Sequence, residues 1–191
     1  MGIEFWGDDR DALVNDDPLA FLIAMLLDQQ IPLSWAFDGP NRIVERTGVQ
    51  LDAATIASSD PEAFAAMAAL KPAIHRYHRS MAGRIQALCA HVAAEWDGDA
   101  SRIWSDRSAS LVAERLSAVP GFGPEKVKIT VAALVKRFGI ELVGWESVAS
   151  PFDDEQPRSV ADVGSSQDFE RVKVWKKEQK AAGLDKQDKL L

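Results

Sequence analysis

Cysteine is almost missing from this 191-residue chain: Cys89 stands alone, which excludes an internal disulfide and an iron–sulfur cluster held by four cysteines. Histidine is nearly as scarce. His75 and His78 lie three apart, but Cys89 and His91 fall on a separate predicted helix and on different faces of it, so no metal site is expected. There is a single tyrosine and no stretch of alternating polar and apolar residues, so strands are not expected. The longest apolar run, Leu19 to Leu27, falls well short of the roughly 20 residues needed to cross a bilayer. No basic segment with an apolar core opens the chain, and the expected location is cytoplasmic. Excess positive charge is absent too: the net charge of −7 counts against indiscriminate attraction to nucleic acid.

What remains is 47% hydrophobic and rich in Ala and Leu, the composition of an all-α protein of one domain, or of one domain built as two small lobes around a cleft. Ile3, Phe5 and Trp6 with their aspartate neighbours read as an N-terminal strap. Asp17-Pro18 opens a helix that is apolar on every side from Leu19 to Leu27, hence central. Gly39-Pro40 reads as a break before a short helix over Arg42–Arg46 that closes at Gly48. Asp52 and Asp60-Pro61 cap helices over 53–58 and 61–70. Met81, Ile85, Leu88, Cys89, Val92 and Trp96 follow at helical spacing, which makes Cys89 a small buried hydrophobe. From Ser150 to Ser166 the Pro-, Ser- and Asp-rich composition reads as a linker, followed by a last helix bearing Phe169, Val172 and Trp175 and a frayed tail from Gly183. From Glu170 to Leu191 there are seven Lys/Arg against four Asp/Glu, a surplus of three, so the remaining chain carries −10. Any anion-binding face in that remainder must be local.

The most specific stretch is Val119-Pro120-Gly121-Phe122-Gly123-Pro124. Leu111, Val112, Leu116 and Val119 precede it at helical spacing, and Val127, Val131, Leu134, Val135 and Phe138 follow on one helix face. Pro120 ends the first helix, Gly121 and Gly123 supply conformational freedom or close approach, and Pro124 starts the second helix where a missing N–H costs nothing. Such a corner aims main-chain N–H groups outward at a helix N-terminus, an anion site. Two other stretches carry polar candidates. Gln29 and Gln30 end the apolar helix, where exposed amides either reach into a groove or form a solvated cap. Lys71, His75, Arg76, His78 and Arg79 surround Tyr77, and either contact a phosphate backbone or make a solvated loop.

Together the L-L-D-Q-Q-I-P segment, the M-A-x-R-I-Q-A-L helix and the V-P-G-F-G-P hairpin followed by F-G-I resemble the helix-hairpin-helix (HhH-GPD) superfamily of base-excision DNA glycosylases, over roughly residues 17–150. The resemblance is to a small actinobacterial-type branch without an iron–sulfur cluster. It implies a two-lobed helical fold with double-stranded DNA across the cleft and hairpin amides on a phosphate. A glutamine fills the gap left by a flipped base, and Gln30 matches it best, with Gln29 beside it. Candidate DNA-binding residues are therefore Gln29, Gln30, Gly121, Phe122, Gly123, Lys126, Lys128, Arg76 and Arg79.

The family also implies a carboxylate beyond the second hairpin helix, to stabilise charge developing on the sugar. Here the loop reads V-G-W-E-S-V without the usual Asp. Counting from Phe138-Gly139 puts Glu146 in its place, with Trp145 able to close the pocket; Asp153 and Asp154 form a later pair in the expected linker. The lyase branch needs a lysine where Glu125 stands, one position before Lys126, which disfavours a Schiff-base mechanism. The expectations are a helical DNA-binding domain over residues 1–150, a linker and basic tail over 151–191, no cofactor and no membrane, with a nucleoid location if DNA is bound. Three readings compete: a monofunctional DNA glycosylase, a non-catalytic binder of bent or damaged DNA, and a protein-interaction module that has lost DNA.

Overall fold

Aspartates and prolines set most of the helix starts in the computed structural model, which describes residues 2–183. A 3-10 turn at Asp9–Asp11 leads into α1 (Ala12–Asp16) and α2 (Pro18–Leu27). The Asp17 carboxylate accepts hydrogen bonds from Leu19 N and Ala20 N, with Pro18 as first helical residue. Every residue from Leu19 to Leu27 is buried, as expected of a helix apolar on all sides. Around it α3 (Leu33–Thr47), α4 (Ala53–Ser58), α5 (Pro61–Ala69) and α6 (His78–Glu95) build one lobe. Asp52 caps α4 through Thr55 N at 2.7 Å, and Asp60 caps α5 through Ala63 N at 2.8 Å.

The expected break at Gly39-Pro40 does not occur, because both residues lie inside α3 and are buried. A Cβ at Gly39 would stand 2.2 Å from Leu27 Cδ1. This glycine serves the crossing of α2 and α3, and the helix forgoes one Pro40 N–H bond while burying Phe37 and Ile43. Gly48 ends α3 at φ +69°, as a left-handed cap.

A 3-10 turn at Ala100–Trp104 packs on α2 and leads to the second lobe: α7 (Ala109–Ala118), α8 (Pro124–Lys136) and α9 (Trp145–Ala149), with α10 (Ser166–Ala181) behind it. Among the described residues there is no named strand, only one isolated bridge between Ser108 and Val143. The fold is all-α. The N-terminal strap buries Ile3 and Phe5, whose ring meets Phe37 at 5.1 Å and Phe169 at 4.9 Å. Asp11 fastens it by accepting from the amides of Phe5, Trp6 and Gly7.

The segment expected as a linker is instead packed into the molecule. Phe152, Val160, Ala161 and Val163 are buried, and Val163 O accepts a bond from Glu4 N. Its polar residues serve the packing: Lys136 of α8 pairs with Asp162 at 2.7 Å and donates to Asp154 O, while Arg158 pairs with Asp154 at 2.7 Å. A few apolar residues and a connected ion-pair network therefore do what a longer apolar run would do. The last eight residues, where the frayed tail was expected, lie outside the described residues.

Candidate functional site

Val119 leaves the helical region at ψ 126°, and the turn closes when Phe122 N donates to Val119 O at 3.1 Å. Gly121 takes φ +89°, a conformation that side chains resist. Leu26 of α2 lies directly beneath, so that a Cβ at Gly121 would stand 2.4 Å from Leu26 Cδ1. Gly123 is extended, and a Cβ there would meet nothing within 4 Å. Both glycines are exposed, and among the described residues neither amide has an acceptor. The corner is open to solvent at the N-terminus of α8, where the helix dipole is positive. Phe122, a candidate for DNA contact, turns its ring into the core and is 6% exposed. Its side chain is an anchor for the hairpin, and its main-chain N–H is bonded to Val119 O.

Lys126 and Lys128 are also engaged within the protein. The Lys126 ammonium donates to the carbonyls of Met25 and Asp28 at the C-terminal end of α2, where a cation offsets the helix dipole. Lys128 donates to Ser150 O at 2.8 Å and holds the end of α9.

The hairpin rests on the same helix end that carries the two glutamines. Gln29 is fixed at three points: its Nε2 donates to Leu26 O at 2.7 Å, its Oε1 accepts from Arg84 Nη1 at 3.0 Å, and its carbonyl lies 2.8 Å from His75 Nε2. Gln30 is exposed at φ +58°, and its side chain makes no hydrogen bond among the described residues. His75 is 1% exposed, and its Nδ1 accepts from Tyr77 N at 3.0 Å. Burial pushes its pKa below the usual value, with Arg76 and Arg84 acting in the same direction against the Gln29 carbonyl. Beside it Arg76 stacks on the exposed Tyr77 ring at 4.6 Å, whereas Arg79 pairs with Glu62 in an exposed bridge. Gln29, Gln30, the hairpin, Lys126 and the loop at Arg76 thus meet around the C-terminal end of α2.

Glu146 stands elsewhere. It is exposed in the first turn of α9 and lines a shallow cavity of about 390 Å³ with Arg107, Val135, Gly139, Val143 and Trp145. Val135 lies at the C-terminal end of α8 and Gly139 just beyond it, the hairpin lies at its N-terminal end, and the thirteen residues of that helix span about 20 Å. Neither glutamine lines the cavity. Trp145 borders it beside Glu146. Asp154, the later carboxylate, is committed to packing: burial opposes its ionisation, but Arg158 overcomes this and holds the carboxyl below its usual range. Among the described residues no three His, Cys, Asp or Glu side chains converge as metal ligands, and no helix is long and apolar enough to cross a membrane.

Sequence reasoning missed the parts of Arg84 and His75. Arg84 belongs to the M-A-x-R-I-Q-A-L stretch, and its polar position on an apolar helix was the available signal. The turn that it meets lies 55 residues away. No curated protein and no solved structure matches the chain. The family model of the HhH-GPD superfamily base excision DNA repair protein matches residues 23–188. With an open proline–glycine corner between α7 and α8 and a match over most of its length, the chain belongs to the HhH-GPD superfamily of base-excision DNA repair proteins.

Proposed function

We propose that the chain is a monofunctional DNA glycosylase. In this reading the Gly121–Gly123 corner holds a phosphate of the duplex, Gln30 occupies the gap beside an extruded base, and Glu146 supplies the carboxylate that accompanies base release. The observation that carries it is the exposed corner whose Gly121 and Gly123 amides have no acceptor among the described residues. The free amide of Gln30 lies at the end of the helix on which the corner rests. Engagement of Lys126 with the carbonyls of Met25 and Asp28 supports base release without a lysine Schiff base.

The test is a panel of duplexes carrying alkylated, deaminated or oxidised bases. Wild-type protein is expected to leave an abasic site in at least one of them, and Glu146→Gln to bind that duplex without releasing the base. Equal release by the variant would end the assignment of Glu146. A second reading, a non-catalytic binder of damaged DNA, is favoured by the separation of the Glu146 cavity from the glutamine turn. It predicts binding with no abasic product anywhere in the panel. If no duplex binds at low salt, both readings fail and a protein partner is left.

A further inference from the structure

The Gln29–Gln30 turn has an unfavourable shape, with a non-glycine residue at positive φ and its side chain facing solvent. Something must hold it, and a buried imidazole 46 residues away in sequence stands 2.8 Å from the Gln29 carbonyl. An amide can only donate, so the bond from Tyr77 N requires His75 Nδ1 to be the acceptor. The neutral ring then carries its proton on Nε2 and donates it to Gln29 O. One buried ring thereby satisfies a carbonyl of the glutamine turn and an amide of the Arg76–Tyr77 loop.

We infer that His75 is a positioning residue: it holds the Gln29–Gln30 turn in the shape that presents Gln30 to the duplex. This role rests on the proposed function. The latch works only with a neutral ring. A second proton on Nδ1 would face the Tyr77 N–H, donor against donor, and open the loop. The charged groups acting on the ring are Arg76 of its own loop and Arg84 of α6, both cations. Arg42 and Arg46 of α3 add positive charge on the far side of the same loop, where they bind the carbonyls of Ala73 and Pro72.

The two amide side chains separate the two bonds. His75→Gln can place an N–H where Nε2 stands and keep the Gln29 contact, whereas His75→Asn can place an oxygen where Nδ1 stands and keep only the Tyr77 contact. The experiment measures anisotropy of a labelled duplex with one tetrahydrofuran abasic site, and hydrogen exchange of peptides covering residues 27–32 and 74–79, in the full-length protein. Near pH 7.5 His75→Gln should bind within about twofold of wild type and His75→Asn about tenfold more weakly; as the pH falls below the ordinary histidine range wild type should lose affinity while His75→Gln holds. Exchange should quicken over 27–32 only in His75→Asn, and over 74–79 only in His75→Gln. If wild type binds and His75→Asn binds equally well with an unchanged pH profile, the inference is overturned while the proposed function stands. Failure of wild type to bind any damaged duplex overturns the proposed function and the positioning role together, whatever the exchange pattern.

Discussion

Gly121 and Gly123 stand two residues apart and look alike in sequence, yet a methyl group should have opposite effects at the two sites. At Gly121 the backbone sits at φ +89°, which costs an L-residue about 1–2 kcal/mol. The new Cβ would also stand 2.4 Å from Leu26 Cδ1, a side chain that is 0% exposed. Making room means moving a core residue, at about 1–3 kcal/mol. Gly121→Ala should therefore destabilise the fold by roughly 2–5 kcal/mol, which in a chain of this size lowers the melting midpoint by about 5–15 °C. Thermal and urea denaturation followed by circular dichroism read this directly. Leu26→Ala alone should cost about 2–5 kcal/mol. In that background Gly121→Ala should cost only its backbone share, so the pair must be non-additive. A melting midpoint within a degree of wild type, or the same loss with Leu26 removed, would refute the packing account of the hairpin. Gly123→Ala is the control. Its backbone is extended and its surroundings are open, so stability should hold or rise by up to about 1 kcal/mol. Duplex affinity should still fall, because the methyl group stands where a phosphate would approach.

Lys126→Met should lower stability by about 1–3 kcal/mol through the carbonyls of Met25 and Asp28 that lose a charged donor, and borohydride should trap no DNA adduct with either protein. Should wild type be trapped, the separation of Lys126 from chemistry is wrong. Burial pushes the Cys89 thiol up to about 12, so near pH 8 a thiol reagent should label it only on unfolding. Fast stoichiometric labelling of the native protein would contradict its place inside α6. Arg158→Ala should remove the partner that keeps Asp154 ionised. A carboxyl with a depressed pKa adds stability above its unfolded pKa and loses it as pH falls. The variant's deficit against wild type should thus be full near neutrality and shrink below about pH 4, as urea titrations across pH would show.

Local signals were legible wherever the physics is local. Asp17, Asp52 and Asp60 announce helix starts because each side chain caps amides within three residues of itself. The V-P-G-F-G-P corner was readable for the same reason. Gly39-Pro40 misled because glycine marks either a break or a close approach, and only Leu27 on another helix decides between them. Residues 150–166 misled because their composition is that of a loop, while their order comes from Lys136 on α8. At the site, the two glutamines and the hairpin could be named from sequence. Their grip on His75 and Arg84 could not, since those bonds join residues 46 and 55 positions apart. The direction of the Phe122 ring was hidden for a related reason: a residue between two exposed glycines can still point inward when the turn closes on Val119.

Leu26 carries one further consequence. Its side chain is the floor under Gly121, and its carbonyl receives the Gln29 amide. The proposed phosphate grip and Gln29, the residue next to the proposed base-gap filler, are therefore mounted on a single residue. Such a mounting works as a fixed gauge: the distance between the two contact points is set before any nucleic acid arrives. In the proposed complex it is the double helix that must bend to fit, and sites already weakened by damage bend most cheaply.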